Sequence, residues 1–323
     1  MTLSERVKAE ARRIGFTHAG IARVEPLEKE GDRLREWLQR EYHAGMGWMG
    51  RRAEERIDLE KVLPGARSVI SVAENYYWPA ERIPAPQNGA ISRYAWGDDY
   101  HDVILARLRR LELWLGEAIP GTVSRAYVDT GPVMEKAWAA RAGIGWIGKH
   151  TNLITTDTGS WVFLGELLTT AELAPDAPAT DHCGTCTRCI EACPTGAIVE
   201  PYVLDANRCI SYLNIEHRGE FGPGQGEMLA EWIYGCDICQ DVCPWNERFA
   251  RPTAEARYAP RAGMVDPDLA AMRRLGESGF LQATEGSAMR RPGWSGFLRN
   301  ILAVLKRGGA ADPRGEERAS HTS

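Results

Sequence analysis

All eight cysteines of this 323-residue chain lie within one stretch of 61 residues, between Cys183 and Cys243. They form two runs with one extra cysteine between them: Cys183-x2-Cys186-x2-Cys189-x3-Cys193-Pro194, then Cys209, then Cys236-x2-Cys239-x3-Cys243-Pro244. Three cysteines spaced by two residues, followed by a fourth beside proline, are typical of bacterial-type ferredoxins, in which the fourth cysteine binds the other cluster. Eight thiolates are enough for two 4Fe–4S clusters, and we predict both.

The spacing also divides the cysteines between the clusters. The turn at Pro194 directs Cys193 away from its own run and towards the neighbouring cluster. The second run lacks one upstream cysteine, and Cys209 restores its count to four. We therefore predict a first cysteine set of Cys183, Cys186, Cys189 and Cys243, and a second cysteine set of Cys193, Cys209, Cys236 and Cys239.

Zinc is the alternative metal, since two CxxC pairs also make a four-cysteine zinc site. Zinc explains neither the triple run nor the two Cys-Pro endings. Disulfides are disfavoured, because thiolates grouped this closely suit soft metals in a reducing compartment.

The length allows two domains, and a hydrophobic content of 44% is that of an ordinary globular protein. The N-terminal MTLSERVKAEARR is charged and lacks the apolar run of a signal peptide. No stretch approaches the ~18 consecutive apolar residues of a membrane span. We expect a cytoplasmic protein with no membrane segment.

Charge is distributed unevenly along the chain. The overall net charge is −5, but the stretch from Arg248 to the C-terminus carries +5 and the remainder −10. The negative total argues against a protein that coats polyanions indiscriminately. The basic C-terminal stretch predicts either a solvated helix face or a nucleic-acid contact.

The Cys-free N-terminal part predicts alternating helices and strands. Thr2 and Glu5 form a capping box for a first helix that Gly15 ends. Further helices are expected at 29–42 and 102–118, and strands at 16–24, 68–73, 125–128 and 161–168. The proline-rich segment 174–180, APDAPAT, predicts a linker. We therefore expect an α+β (mixed α/β) fold with domains at 1–178 and 179–250, a helical region at 251–307 and a disordered tail at 308–323.

Two motifs resemble cofactor sites without meeting their requirements. Gly143-Ile-Gly-Trp-Ile-Gly148 matches the dinucleotide pattern GxGxxG, but a helix rather than a strand is expected before it. We expect a tight turn there that lets the backbone approach a ligand closely. Asp99-Tyr100-His101 begins like a cobalamin-ligating Asp-x-His-x-x-Gly motif, but Ile104 occupies the glycine position. His101 and His150 are therefore expected in polar networks or on a helix surface rather than on a metal.

Asp129 follows a short apolar strand and precedes a Thr-Gly-Pro turn. A carboxylate in that position often only caps the next helix. The alternative role is that of a proton donor, for which burial and a raised pKa would suit it.

Six segments together resemble the epoxyqueuosine reductase family: SRYAWGDDYH (92–101), YVDTGPVMEKAWAARAGIGWIGKHTNLI (127–154), GELLTT (165–170), CGTCTRCIEACPTGAI (183–198), RCISYLNIEHRG (208–219) and IYGCDICQDVCPWN (233–246). The resemblance extends over residues 1 to about 307. It implies an N-terminal cobalamin-binding α/β domain, a ferredoxin-like domain with two 4Fe–4S clusters, and a short helical basic region that completes the core and contacts tRNA. The implied reaction reduces epoxyqueuosine to queuosine at the tRNA wobble position, the last step of queuosine biosynthesis.

The resemblance also implies roles for individual residues. Asp129 corresponds to the proton donor. The expected corrinoid contacts are Arg52, Asp129, Asn152, Ser211, Gly235 and Asp237, and the expected tRNA contacts are His217, Arg218 and Arg291. Many members of that family continue with a HEAT-like helical domain, whereas this sequence is expected to end in a short basic tail, so part of the tRNA contact is expected to be reduced or redistributed.

The expected mechanism is two-electron reductive removal of the epoxide oxygen, which no amino-acid side chain can drive by itself. An external one-electron donor, such as a flavodoxin or ferredoxin system, would reduce the clusters of a monomeric enzyme. Two alternatives remain: a corrinoid reductase that acts on a small molecule, as in reductive dehalogenases, and an electron carrier with no corrinoid.

Overall fold

A computed structural model describes residues 1–83 and 85–307. The tail predicted at 308–323 lies outside the described residues. The described part mixes helices and strands, which confirms the α+β prediction.

The strands, in chain order, are β1 (His18–Arg23), β2 (Ser68–Asn75), β3 (Ala90–Ile91), β4 (Ser124–Tyr127), β5 (Trp146–Ile147), β6 (Leu153–Ile154), β7 (Val162–Thr169), β8 (Ile198–Glu200), β9 (Val203–Leu204) and β10 (Trp232–Tyr234). The helices are α1 (Leu3–Ile14), α2 (Glu28–Gln39), α3 (Trp48–Arg51), α4 (Ala53–Ile57), α5 (Tyr100–Ala118), α6 (Glu135–Arg141), α7 (Arg188–Glu191), α8 (Ile238–Asp241), α9 (Pro244–Phe249), α10 (Leu269–Arg274), α11 (Gly276–Ala283) and α12 (Gly293–Arg307).

The central sheet has four antiparallel strands in the order β1-β2-β7-β4. Every residue of β2 is buried, and so are seven of the eight residues of β7. Helices cover both faces of the sheet, which explains why these two strands are apolar without the alternation of a half-exposed strand. The sheet is therefore the middle layer of a three-layer domain.

Two helical layers enclose the sheet. On one face, α1 packs against β1 and α5, α5 packs against β7, and Val7, Ile104 and Leu108 are buried in a common core. On the other face, α6 places Trp138 against Leu59 and Val69. The predicted capping box at the start of α1 is present, with Thr2 Oγ1 accepting from the Glu5 N–H and the Glu5 carboxylate accepting from the Thr2 N–H.

A second core joins residues 90–96 to the C-terminal third of the described chain. Strand β3 pairs in parallel with β10, and Trp96 packs in the same cluster as Phe280 and Phe297. These contacts cross the predicted domain boundary near residue 178, and the division into domains stays a prediction. Within the described ranges, no helix is long and apolar enough to cross a membrane.

Candidate functional site

A cavity of about 560 Å³ lies between the central sheet and the cysteine-rich segment. The sheet side contributes aromatic walls from Tyr76, Tyr100 and Phe163. The opposite side includes the turn Tyr212–Glu216, a short π-helix, a distortion that often occurs at functional sites. The volume is that of a site for a small molecule or cofactor.

The second cysteine set forms part of this cavity wall. All four of its members line the cavity: Cys193, Cys209, Cys236 and Cys239. Burial raises the pKa of Cys209, and the charge of Cys193 raises it further, so these thiols lie close together. Burial likewise raises the pKa of Cys239, with additional contributions from Cys209 and Cys193 and from Cys189 of the first set, so the two sets lie next to each other.

The members of the first cysteine set interact mainly with one another. Burial raises the pKa of Cys189 to about 11, with further contributions from the charges of Cys243, Cys183 and Cys186. These groupings support the predicted cluster ligands, which stay a prediction. All eight cysteines are free thiols, a soft donor set that fits iron–sulfur clusters.

Short local structures hold the cysteines in place. Helices α7 and α8 are single turns that pack against each other, and each carries one cysteine of its run, Cys189 in α7 and Cys239 in α8. The buried Lys149 ammonium donates to the carbonyl oxygens of Gly184 at 2.7 Å and Cys186 at 2.9 Å, which fixes the loop of the first run. Cys193 Sγ accepts from the Ala197 N–H at 3.3 Å.

Asp129 lies at the cavity in a turn after β4, with a positive φ of 54°. Its backbone N–H donates to Glu135 Oε1 at 2.6 Å. Two residues later, the Gly131 carbonyl accepts from the buried Arg56 guanidinium at 3.2 Å. A helix residue and a neighbouring arginine therefore hold the turn in a conformation that most non-glycine residues avoid.

The Asp129 carboxylate is paired with a histidine. His101 Nδ1 lies 2.6 Å from Asp99 Oδ1, and its Nε2 lies 3.4 Å from Asp129 Oδ2. Although burial lowers the pKa of His101, the hydrogen bonds and charges of Asp129 and Asp99 outweigh it and raise the pKa to about 9. The expected polar-network role of His101 is confirmed.

In this structure the pKa of Asp129 is lowered, whereas the proton-donor role would be suited by a raised pKa. Desolvation alone would raise it, but the hydrogen bond and charge of His101, together with Lys136 and Arg291, bring the pKa of Asp129 below its ordinary value. The proton of the pair therefore resides on His101 at neutral pH.

His150 and Lys136 lie on the cavity wall near Asn152. Lys136 Nζ donates to Thr151 O at 2.9 Å and to Asn152 Oδ1 at 3.1 Å, and the Asn152 N–H donates to His150 Nδ1 at 3.1 Å. Burial and the Lys136 charge lower the pKa of His150 to about 4, so His150 is neutral at neutral pH.

The expected corrinoid contacts differ in their position relative to the cavity. Asn152 and Ser211, with Asp129, line the cavity. Asp237 is buried behind the wall, where it accepts from the Ser92 hydroxyl and from the Arg93 N–H. Gly235 has a φ of 65°, and a Cβ there would come within 2.4 Å of Ser92 Cβ. The exposed Arg52 pairs with Glu55 and is absent from the cavity lining within the described ranges.

The glycine turn at 143–148 also differs from its expected role. A Cβ on Gly145 would lie 2.1 Å from Ile154 O, and one on Gly143 would lie 2.5 Å from Ala177 O. These glycines allow close approach of the protein's own backbone, which closes the β5–β6 hairpin, rather than of a ligand.

The three expected tRNA contacts lie together beside the cavity. Arg218 Nη2 donates to Arg291 O at 3.2 Å, and Arg291 forms a two-pronged ion pair with Glu216, a residue of the cavity wall. His217 lies next to Arg218, and its ring stacks on Phe221. This group brings the Arg218 and Arg291 guanidinium groups to the surface next to the cavity.

Not all of the basic C-terminal stretch is available to a partner. Arg299 is buried and donates to the carbonyl oxygens of Leu213, His217 and Gly219. Arg299 therefore stabilises the turn that carries two of the expected tRNA contacts, His217 and Arg218. Arg290 and Arg261 similarly donate to backbone carbonyls.

Sequence reasoning missed Glu135, Lys136 and the buried Glu166 as site residues. Glu135 and Lys136 lie six and seven residues after Asp129 in the segment VDTGPVMEK, and that proximity was the available signal. Glu166 lies in the apolar strand β7, where a glutamate is unusual because burying an unpaired carboxylate is costly.

Comparisons with known families match two segments of the chain. Residues 56–130 match the family described as "Epoxyqueuosine reductase QueG, DUF1730". Residues 182–246 match the family described as "4Fe-4S double cluster binding domain". This family match, over the segment that contains all eight cysteines, supports the iron–sulfur clusters predicted from their spacing.

Curated relatives named epoxyqueuosine reductase cover nearly the whole chain. A protein from Synechocystis sp. is 50% identical over 290 residues, which span 89% of this chain and 100% of that protein. One from Gloeobacter violaceus is 46% identical over 94% of this chain and 96% of that protein. One from Salmonella typhimurium is 40% identical over 94% of this chain and 79% of that protein.

Solved structures of epoxyqueuosine reductases share the fold. One with an epoxyqueuosine-modified tRNA-Tyr stem loop has a TM-score of 0.88 at 30% identity, and the match covers 96% of this chain and 82% of that one. The Bacillus subtilis enzyme, with an aspartate-bearing catalytic loop swung out of its active site, also has a TM-score of 0.88, at 29% identity and the same coverage.

Proposed function

This chain belongs to the epoxyqueuosine reductase family, and we propose that it reduces epoxyqueuosine to queuosine at the wobble position of tRNA. The observation that carries the proposal is the arrangement of one cavity. The second cysteine set lines one side of it, and the Asp129–His101 pair supplies a proton at the other. Electron supply and proton supply thus meet where an epoxide would be reduced.

Cobalamin is the proposed cofactor of the cavity. Aromatic walls and a neighbouring set of cluster thiols suit a flat, reducible macrocycle, and the volume of about 560 Å³ is adequate for a large part of it. Asn152, Ser211 and His150 are the polar groups that would hold it. When bound, cobalamin would supply a reducible cobalt centre for two-electron chemistry at carbon.

The protein's own contribution is to position the substrate and to deliver a proton. His101 holds that proton at Nε2, next to Asp129 Oδ2, and Asp99 fixes the imidazole from its other nitrogen. As the epoxide opens, negative charge develops on its oxygen, and the Asp129–His101 pair supplies the proton that neutralises it.

The surface formed by His217, Arg218 and Arg291 is the proposed tRNA contact. Arginine and lysine side chains bind RNA phosphates, and bases of a single-stranded loop can turn outward into a pocket. The positive surface beside the cavity would hold the anticodon stem while the modified base enters.

Electrons would enter through the first cysteine set. Gly184, Thr185 and Arg188 are exposed on the loop that carries it, whereas the second cysteine set faces the cavity. A protein donor of the flavodoxin or ferredoxin type would dock there onto a monomeric enzyme and reduce the clusters one electron at a time.

The test is anaerobic reconstitution with iron, sulfide and cobalamin, followed by turnover of a stem-loop RNA that carries epoxyqueuosine. With a chemical reductant, we expect mass spectrometry of the nucleosides to show loss of one oxygen from the modified base. Reactions without reductant or without cobalamin are the controls. Unchanged RNA in the complete reaction would refute the proposal, and reduction of the free nucleoside alone would favour a small-molecule reductase.

A further inference from the structure

Glu166 is a fully buried carboxyl group in the middle of the central sheet. Its relative exposure is 0%, and β7 places it opposite Ser71 on β2 and Tyr127 on β4. Among the residues that the structure describes, no donor reaches either of its carboxyl oxygens. An ionised carboxylate in such surroundings is costly, so Glu166 carries a proton.

The protonated Glu166 has a second carboxyl group as its partner. Helix α6, which begins at Glu135, packs against β7, and the two carboxyl groups interact with each other. Since a carboxylate can only accept, a protonated Glu166 is the group that can donate to Glu135. Burial, followed by the Glu135 charge, raises the pKa of Glu166 well above its ordinary value. The two carboxyls thus share at least one proton.

Glu135 connects this pair to the cavity. It lines the cavity wall, and its Oε1 also accepts the Asp129 N–H at 2.6 Å. The charged and titratable groups that face it are Asp129, Lys136, Glu166, Arg56 and Tyr100. Burial and the Asp129 charge dominate and raise the pKa of Glu135 to about 7.

The proposed reaction needs more protons than the Asp129–His101 pair holds. Removing an epoxide oxygen breaks two carbon–oxygen bonds, forms a carbon–carbon double bond and releases water. The electron donor supplies two electrons, and two protons must reach the oxygen. His101 Nε2 carries one of them.

We propose that the Glu135–Glu166 carboxyl pair stores the second proton, and that Glu135 delivers it to the hydroxyl group that leaves as water. The inference rests on the proposed function. The first proton passes from the Asp129–His101 pair to the opening epoxide, and the second converts the resulting hydroxyl into the leaving water. Glu135 then regains a proton from solvent through the open cavity.

The first test is Glu135→Gln. The amide oxygen can still accept from the Asp129 N–H and from Glu166, but the side chain has no acid proton to give. We expect kcat to fall about 10²-fold with KM for the RNA nearly unchanged. The decrease in wild-type rate as the pH rises through about 7 should also disappear. The exposed Glu172→Gln is the matched control, with wild-type behaviour.

The second test does not depend on turnover. Infrared spectra of the cluster-reconstituted protein should contain one protonated-carboxyl signal that diminishes as the pH rises past 7 and is lost in Glu135→Gln. They should contain a second signal that persists above that pH and is lost in Glu166→Gln. Glu74→Gln is a buried control, since burial raises the pKa of Glu74 to about 7 outside the cavity, beside Arg107. It should remove a different component.

Wild-type kcat and pH profile in Glu135→Gln would overturn the inference, because they would leave the pair a purely structural role. An infrared spectrum without a protonated carboxyl that depends on Glu135 or Glu166 would also overturn it. If the wild-type protein fails to reduce the RNA, the proposed function fails, and the infrared test still decides whether the pair holds a proton.

Discussion

Asp129 combines an unusual backbone conformation with an ionised side chain. A φ of 54° is tolerated by Asp and Asn better than by other non-glycine residues. Asp129→Asn should therefore keep the turn and the hydrogen bond from its backbone N–H to Glu135. It removes the carboxylate that pairs with His101, so we expect turnover to fall by about 10²-fold or more while both clusters remain. Product mass spectrometry and iron content measure the two effects.

Asp102→Asn provides the control for this substitution. Asp102 is an exposed carboxylate next to His101 on α5, and its loss should leave turnover near the wild-type level. Near-normal turnover of Asp129→Asn would contradict the assigned role of Asp129.

Cys209 is assigned to the second cluster mainly because that cluster needs a fourth cysteine ligand. It lies outside both runs but lines the cavity beside Cys193. If it completes the second cluster, Cys209→Ala should lower the iron content from about eight towards about four atoms per chain. Iron and sulfide assays, together with electron paramagnetic resonance of the reduced protein, measure the loss.

Cys183→Ala is the reciprocal variant. It should lose a comparable amount of iron from the first cluster, with a different residual spectrum. Full iron content in Cys209→Ala, or identical residual spectra in the two variants, would contradict the division into two sets.

Strand β7 contributes both to the core of the fold and to the surroundings of the cavity. Its apolar residues fill the core, while Glu166 places a carboxyl group behind the cavity. The pKa of Glu166 in the folded protein lies above its value in the unfolded chain, which is about 4.3. Its contribution to stability is therefore complete below about pH 4.3 and is lost as the pH rises through the folded-state pKa. Stability from Glu166 is therefore greatest in mild acid and decreases towards alkaline pH, by up to about 1.4 kcal/mol per pH unit for one proton.

Glu166→Gln removes this titration. We expect its melting temperature to exceed that of the wild-type protein at pH 8 by more than it does at pH 5. Thermal denaturation followed by circular dichroism measures the difference, and Glu172→Gln should show no such pH dependence. A difference that is equal at both pH values would indicate that Glu166 is ionised in the folded protein.

At the scale of the whole molecule, only some of the basic residues that make the C-terminal part of the sequence positive are exposed. Arg299 is used inside the protein, whereas Arg218 and Arg291 are exposed beside the cavity. Arg218→Glu should weaken RNA binding and reduce the salt dependence, with the slope of log K against log salt concentration changing by about one. Binding titrations with the stem-loop RNA at several salt concentrations measure both effects.

Arg109→Glu is the control with the same change of charge. Arg109 is exposed further along α5, so this variant should bind RNA with nearly the wild-type salt slope. Equal weakening by the two substitutions would mean that overall charge, rather than the surface of His217, Arg218 and Arg291, controls binding.

Much of the fold was predictable because its signals are local. The capping box at Thr2, the apolar runs of β2 and β7, and the long helix α5 depend on residues a few positions apart. The predicted ends differ from the observed ones by a few residues: α2, for example, ends at Gln39 rather than at residue 42. The second core was not predictable, because β3 and β10 are distant in sequence and each is too short to give a pattern.

The sequence by itself determined the iron–sulfur chemistry, since thiolate identity and spacing are properties of short segments. It also identified Asp129, but not its ionisation. Only the tertiary structure decided that Asp129 lies against His101, that Glu135 lies against Glu166, and that both pairs share a cavity with the second cysteine set. The physical reason is that a pKa depends on burial and on charges a few ångströms away, and folding brings those charges together from distant parts of the chain.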